Sequence, residues 1–319
     1  MHRSHYLMVP ISGQGIIVDA GMKPLLQKAM VPPLGYTDVF LYSHGWWTRA
    51  EGAMIDYNQF IMGFAPIVAE LAVSAGSAAA LGIGLHWPSM VSEDANTPLT
   101  ILQPFTYFNR SKMADEVGEH GTYSILRILL EARRDAKLPM PRLHLSGHSF
   151  GCKVICAALE ELAETLASAG LLDDLSVNVT LLQGAFDYDA LEPGKAYGRV
   201  LSAYPKLRLL LSKSDLDEAV GTQYKRVQKI MDFFKPAVPG LGGVGPSPAT
   251  VTAAGGAINL SVGPNFPAPV PGSLTGRLIV ADLTPLHQAH PEASEPFSGH
   301  HSDIFHDEIY RLMAAFFFS

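Results

Sequence analysis

Charge is scarce in this chain and leans acidic. Only 17% of the 319 residues are charged, and 30 Asp and Glu against 23 Lys and Arg leave a formal net charge of −7. Non-specific nucleic-acid binding needs clustered cations against phosphates, and that cluster is missing. Long hydrophobic runs are missing too. A spanning helix needs about 20 apolar residues, and the nearest candidate, 73–85, is broken by Gly76, Gly82 and Gly84. An integral membrane protein is therefore not expected. The opening stretch MHRSHYLMVPISGQG has no apolar core of the secretory type, so a cytoplasmic protein is expected. There are only two cysteines, Cys152 and Cys156, four apart in a segment of helical character. A disulfide between neighbouring turns of one helix has poor geometry, so both are read as reduced packing residues, in keeping with an intracellular site. Internal repeats and long polar tracts are also lacking, which excludes solenoids and disordered tails.

Apolar residues, by contrast, are plentiful at 48%, enough to bury a large core. Short β-branched or Leu-rich runs at 38–42, 80–86, 142–146, 177–183, 207–212 and 277–281 alternate with stretches of helical period at 52–75, 122–136, 150–169 and about 304–317. That alternation predicts an α/β protein with a mostly parallel central sheet and helices on both faces. The pieces 6–9 and 16–18 are expected as antiparallel edge strands. Pro66 is expected to kink or split its helix, and Gly170 to cap the helix before it. Residues 236–276, crowded with Pro and Gly, break the rhythm. They are expected to form an insertion, a lid or covering loop, within a single domain spanning 1–319.

The strongest local signal is Gly147-His148-Ser149-Phe150-Gly151, a G-x-S-x-G string. A strand-like run, Arg142 to Ser146, precedes it, and a helical run from Cys152 follows. Strand, sharp turn and helix together make a nucleophile elbow, with Ser149 in a strained conformation and glycines where side chains would collide. The N-terminus of the following helix adds positive potential where an oxyanion forms.

On these residues the chain resembles the α/β-hydrolase family from about Asp38 to the C-terminus. The resemblance rests on the elbow, the His44-Gly45 pair after an early strand, an acid past a later strand and a late histidine, in that order. The segment His86-Trp87-Pro88-Ser89 also looks like the WPS segment of a bacterial branch of that family. The resemblance implies a Ser-acid-His triad. Asp215 stands where the family's acid usually stands, with Asp217 or the earlier Asp187 and Asp189 as alternatives. His301, in Ser298-Gly299-His300-His301-Ser302-Asp303, is the expected base, with His300 as the alternative; Ser302 would cap the last helix. By the same resemblance the N–H groups of Trp46 and Phe150 hold the oxyanion. The indole of Trp46 or Trp47 would wall the acyl pocket, while His44 is read as a structural hydrogen-bonder.

The implied activity is hydrolysis of a small-molecule carboxylic ester through an acyl-enzyme, carboxylesterase- or lipase-like, without a cofactor. Thioesterase, amidase or acyltransferase chemistry on the same triad is the nearest rival, and a silent protein that kept the fold is another. Serine at the elbow argues against dehalogenase and epoxide hydrolase chemistry. Five late histidines, His287, His290, His300, His301 and His306, raise the question of a metal, but their spacing fits no tight ligand pattern, so no metal is expected.

Overall fold

A computed structural model describes residues 3–46, 50–74, 79–89, 103–231, 237–267, 272–295 and 298–319. Eight strands are described: β1 (Arg3–Pro10), β2 (Asp38–Ser43), β3 (Ala79–His86), β4 (Arg142–His148), β5 (Val177–Leu182), β6 (Leu207–Lys213), β7 (Ile258–Ser261) and β8 (Leu278–Asp282). They form one sheet in the order β1-β3-β2-β4-β5-β6-β8-β7, and every neighbouring pair is parallel. The helices are α1 (Met22–Ala29), α2 (Ala50–Ser74), α3 (Gln103–Glu116), α4 (Tyr123–Asp135), α5 (Phe150–Ala169), α6 (Gly198–Ser202), α7 (Tyr224–Met231), α8 (Leu241–Val244), α9 (Pro248–Ala253), α10 (Thr284–Ala289) and α11 (Asp307–Phe317). No helix among the described residues is long and apolar enough to cross a membrane.

Both faces of the sheet are covered, so the central strands β2, β4, β5 and β6 are buried almost throughout. Side chains alternate across a strand, so Leu209 and Leu211 join a core with α4 and α5, while Leu210 joins another with α2 and α11. Helix α5 is buried along much of its length and ends at Gly170, whose φ of 66° provides the left-handed cap. Cys152 and Cys156 lie buried on it and are unbridged.

Several expectations are corrected. β1 is parallel to β3 rather than antiparallel, and of 16–18 only Ile17 makes an isolated bridge, to Ile11. Pro66 stays inside one continuous helix. The stretch 236–276 lies partly outside the described residues, yet it holds α8, α9 and β7, which extends the sheet beside β8. The final helix starts at Asp307 with His306 at its cap, so Ser302 is not the cap.

The strand order places the site. From β2 the chain crosses to β3 on one side, while β4, also beside β2, leads on to β5 on the other. Ligands of open parallel sheets bind beyond the carboxyl ends of strands at such a reversal. Ser43 pairs with Gly147 across it, so the turns after β2 and β4 leave the sheet side by side.

Candidate active site

Ser149 is the single residue between β4 and α5, and its backbone has φ 56° and ψ −121°, a region L-residues enter only under constraint. Crowding supplies that constraint. A Cβ on Gly151 would lie 2.1 Å from the Ser43 carbonyl oxygen, and one on Gly147 would lie 2.5 Å from the Gly151 backbone. Only hydrogen fits at either position. The Ser149 N–H donates to the Leu182 carbonyl (3.0 Å), and its own carbonyl accepts from Ala185 N–H (3.2 Å), which ties the turn to the end of β5.

The Ser149 hydroxyl meets His301: Oγ lies 2.8 Å from Nε2. The other ring nitrogen, Nδ1, is 2.8 Å from Asp217 Oδ2. A carboxylate accepts, so Nδ1 carries the proton and Nε2 is the lone pair facing the serine. Asp217 is fully buried, and its second oxygen accepts the Val220 N–H at 3.0 Å. Ser149 itself is only 5% exposed, and such a water-poor setting strengthens each of these interactions.

Asp215 does not take part. Its side chain is 72% exposed, with Oδ1 3.6 Å from Lys213 Nζ, and its N–H donates to Thr284 Oγ1. The turn is closed by Leu216 N–H donating to Ser214 Oγ, which leaves Asp215 outside and brings Asp217 inside. The acid beside His301 is thus Asp217, two residues beyond the expected one. Asp187 instead accepts from Tyr224 Oη and Gln228 Nε2, both at 2.6 Å, and Asp189 pairs with Lys195.

His300 faces away from the serine. Its Nδ1 lies 2.9 Å from Asp303 Oδ2, while His306 Nε2 lies 2.6 Å from Oδ1 of the same carboxylate. Burial would raise the Asp303 carboxyl, but the two imidazole hydrogen bonds hold it at about 2. His287 stacks on His300 with ring centres 5.0 Å apart and bonds Ser214 Oγ and the Asp303 carbonyl. His300 and His306 therefore act as hydrogen-bonding groups around the Asp303 carboxylate, with His287 stacked beside them. No group of three or more His, Cys, Asp or Glu among the described residues could hold a metal ion.

The turn after β2 lies directly over the elbow: a Cβ on Gly45 would sit 2.8 Å from Ser149 Cβ. His44 Nδ1–H donates to the Gly45 carbonyl (2.8 Å), and Nε2 accepts the Trp87 N–H (3.4 Å). The His44 ring stacks flat on the buried Trp87 indole, 5.3 Å between centres. Burial lowers the His44 pKa to about 4, so it is neutral near pH 7 and holds this turn. Trp46 tilts against Phe150, ring centres 6.0 Å apart, and Phe150 opens α5 at the positive end of its dipole. Trp47 lies outside the described residues.

Two residues that the sequence reading did not single out also touch the loop that carries His301. His148 Nε2 lies 2.8 Å from the His301 carbonyl oxygen, and Gln183 Nε2 donates to the His300 carbonyl at 3.0 Å. His148 sits inside the motif itself, at its variable position. Gln183 offers no sequence signal beyond following a strand; its φ of 47° is visible only in three dimensions. Compared with protein-family models and with curated proteins, the chain matches none.

Proposed function

We propose that this protein is a serine hydrolase of the α/β-hydrolase type that cleaves carboxylic esters through an acyl-enzyme. The observation that carries the reading is the unbroken hydrogen-bonded line from the Ser149 hydroxyl through His301 to the buried carboxylate of Asp217, mounted on a positive-φ turn. A serine hydroxyl is a poor nucleophile near neutral pH, and an imidazole oriented by a carboxylate is what activates it.

Ser149 Oγ attacks the carbonyl carbon while His301 Nε2 takes its proton. Negative charge collects on the carbonyl oxygen, where the backbone N–H groups of Trp46 and Phe150 are the proposed donors, each worth about 3 kcal/mol in sites of this kind. His301⁺, stabilised by Asp217, returns the proton to the departing alkoxide. Water then repeats the sequence in reverse and frees Ser149. The expectation of an ester rather than a thioester or amide comes from the family resemblance alone.

A fluorophosphonate probe tests the reading, because it reacts only with an activated serine. The folded protein should be labelled at Ser149 and should hydrolyse p-nitrophenyl esters, and Ser149→Ala should abolish both. A folded wild-type protein inert to the probe overturns the proposal.

A further inference from the structure

His301 is held at both ends. Asp217 grips its ring, and His148 grips its backbone carbonyl. Gln183 takes the adjacent carbonyl, that of His300. His148 ends β4 and Gln183 follows β5 directly, so both donors stand on the rigid centre of the sheet beside the nucleophile. We propose that His148 and Gln183 are positioning residues for the base, a two-point clamp that fixes the backbone carrying His301 relative to Ser149. This inference rests on the hydrolase reading above.

A carbonyl oxygen only accepts, so His148 Nε2 must carry a proton. The His148 and His301 rings lie 5.0 Å apart. A charged His148 would therefore oppose the imidazolium that forms on His301 during catalysis. Burial, reinforced by the neighbouring His301, lowers the His148 pKa to about 3. It is therefore neutral at working pH, donating from Nε2. Gln183 is pinned in turn: it is fully buried, and its N–H donates to Ser212 Oγ on β6 at 2.9 Å. A further tie on the base loop runs to the acid loop, where His300 N–H reaches the Leu216 carbonyl (3.1 Å). Gly299 makes that approach possible, because a Cβ there would lie 2.3 Å from the Leu216 oxygen. Among the described residues, the clamp ties the backbone of the base loop to β4 and to the end of β5, beside Ser149 and its anchor at Leu182. Catalytic geometry tolerates little slack, and a shift of about 1 Å in a reacting group can cost about a hundredfold in rate.

The test compares His148→Leu, which cannot donate, with His148→Gln, which can, and adds Gln183→Met. Each is measured for fluorophosphonate labelling rate, for kcat and KM on a short-chain p-nitrophenyl ester, and for melting temperature. His148→Leu should lower both kcat and the labelling rate by about 10- to 100-fold with KM little changed. His148→Gln should restore most of that loss, and Gln183→Met should show a smaller loss of the same kind. Nitrogen-15 NMR of the wild-type imidazoles should show His148 as the neutral Nε2–H tautomer from about pH 8 to about pH 5, a readout that needs neither activity nor a foldable variant. Labelling of His148→Leu at the wild-type rate, or a His148 found charged or protonated on Nδ1, overturns the clamp. A wild-type protein that is never labelled sinks the hydrolase reading instead, and the NMR result still decides whether His148 holds the loop.

Discussion

Lowering the pH from 7 to 5 should cost this fold about 3 kcal/mol, mainly through two histidines beside Ser149. Burial is the leading cause that lowers His44 to about 4 and His148 to about 3, against an ordinary 6.5. Both are neutral when folded across this range and become charged when the chain unfolds. Below pH 6.5 the unfolded state therefore binds protons that the folded state refuses, and stability falls with pH until the folded values are reached. Between pH 7 and 5 each histidine contributes a loss of about 2 kcal/mol. Asp56 works the other way. Burial raises its carboxyl to about 6, so it takes up a proton in the folded state first and returns about 1 kcal/mol, less what solvent screens at its half-buried position. His144 and His287, also lowered mainly by burial, add to the loss, whereas His306, raised chiefly by its bond to Asp303, opposes it. A loss of about 3 kcal/mol is a large fraction of a typical total of about 5–15 kcal/mol. Urea unfolding at the two pH values reads it directly, and His148→Gln should remove about 2 kcal/mol of the difference. Equal or greater stability at pH 5 would refute the assignment of His44 and His148 as buried neutral groups.

Two substitutions test the site from other directions. Asp217→Asn should lower kcat by about 10³-fold or more by spoiling the His301 tautomer, whereas Asp215→Asn, exposed beside Lys213, should stay within about twofold; equal effects of the two would contradict the geometry. Ser149→Gly should abolish labelling yet leave the melting temperature unchanged or a few degrees higher, because glycine accepts φ 56° without the strain of about 1–3 kcal/mol that offsets its extra chain entropy. A clear drop in melting temperature would mean that the elbow is not strained.

Much of the fold was legible because it is encoded locally. The run Val177–Leu182 is buried throughout, and such a run between helical stretches already implies a strand covered on both faces. Glycines at 147 and 151 flanking a serine imply a tight strand-to-helix turn wherever they fall in this context. Features set by distant contacts were not legible. Residues 16–18 alternate like a strand, yet their pairing goes no further than one bridge, Ile17 to Ile11, and Ile16 stays 63% exposed. The short run 258–261 looked like loop because it is flanked by Pro and Gly. β8 has an open edge there, and pairing with it makes the run a strand.

The acid shows the same division at the scale of two residues. Ser212-Lys213-Ser214-Asp215-Leu216-Asp217 leaves β6, and either aspartate could point inward from sequence alone. The choice is made by partners far along the chain. Thr284 takes the Asp215 N–H, Lys213 turns to Asp282 at 2.9 Å, and Gly299 bridges to Asp217. Each belongs to a segment about 70 or more residues later, and together they rotate Asp215 outward and seat Asp217 under His301. The acid and base loops thus specify each other, and Gly299 is the residue on which that fit depends. With φ at 61° and the Leu216 oxygen where a Cβ would go, Gly299→Ala has no conformation that keeps both loops in place. It should separate Asp217 from His301 and cost activity of the same order as Asp217→Asn, even though position 299 touches no reacting atom.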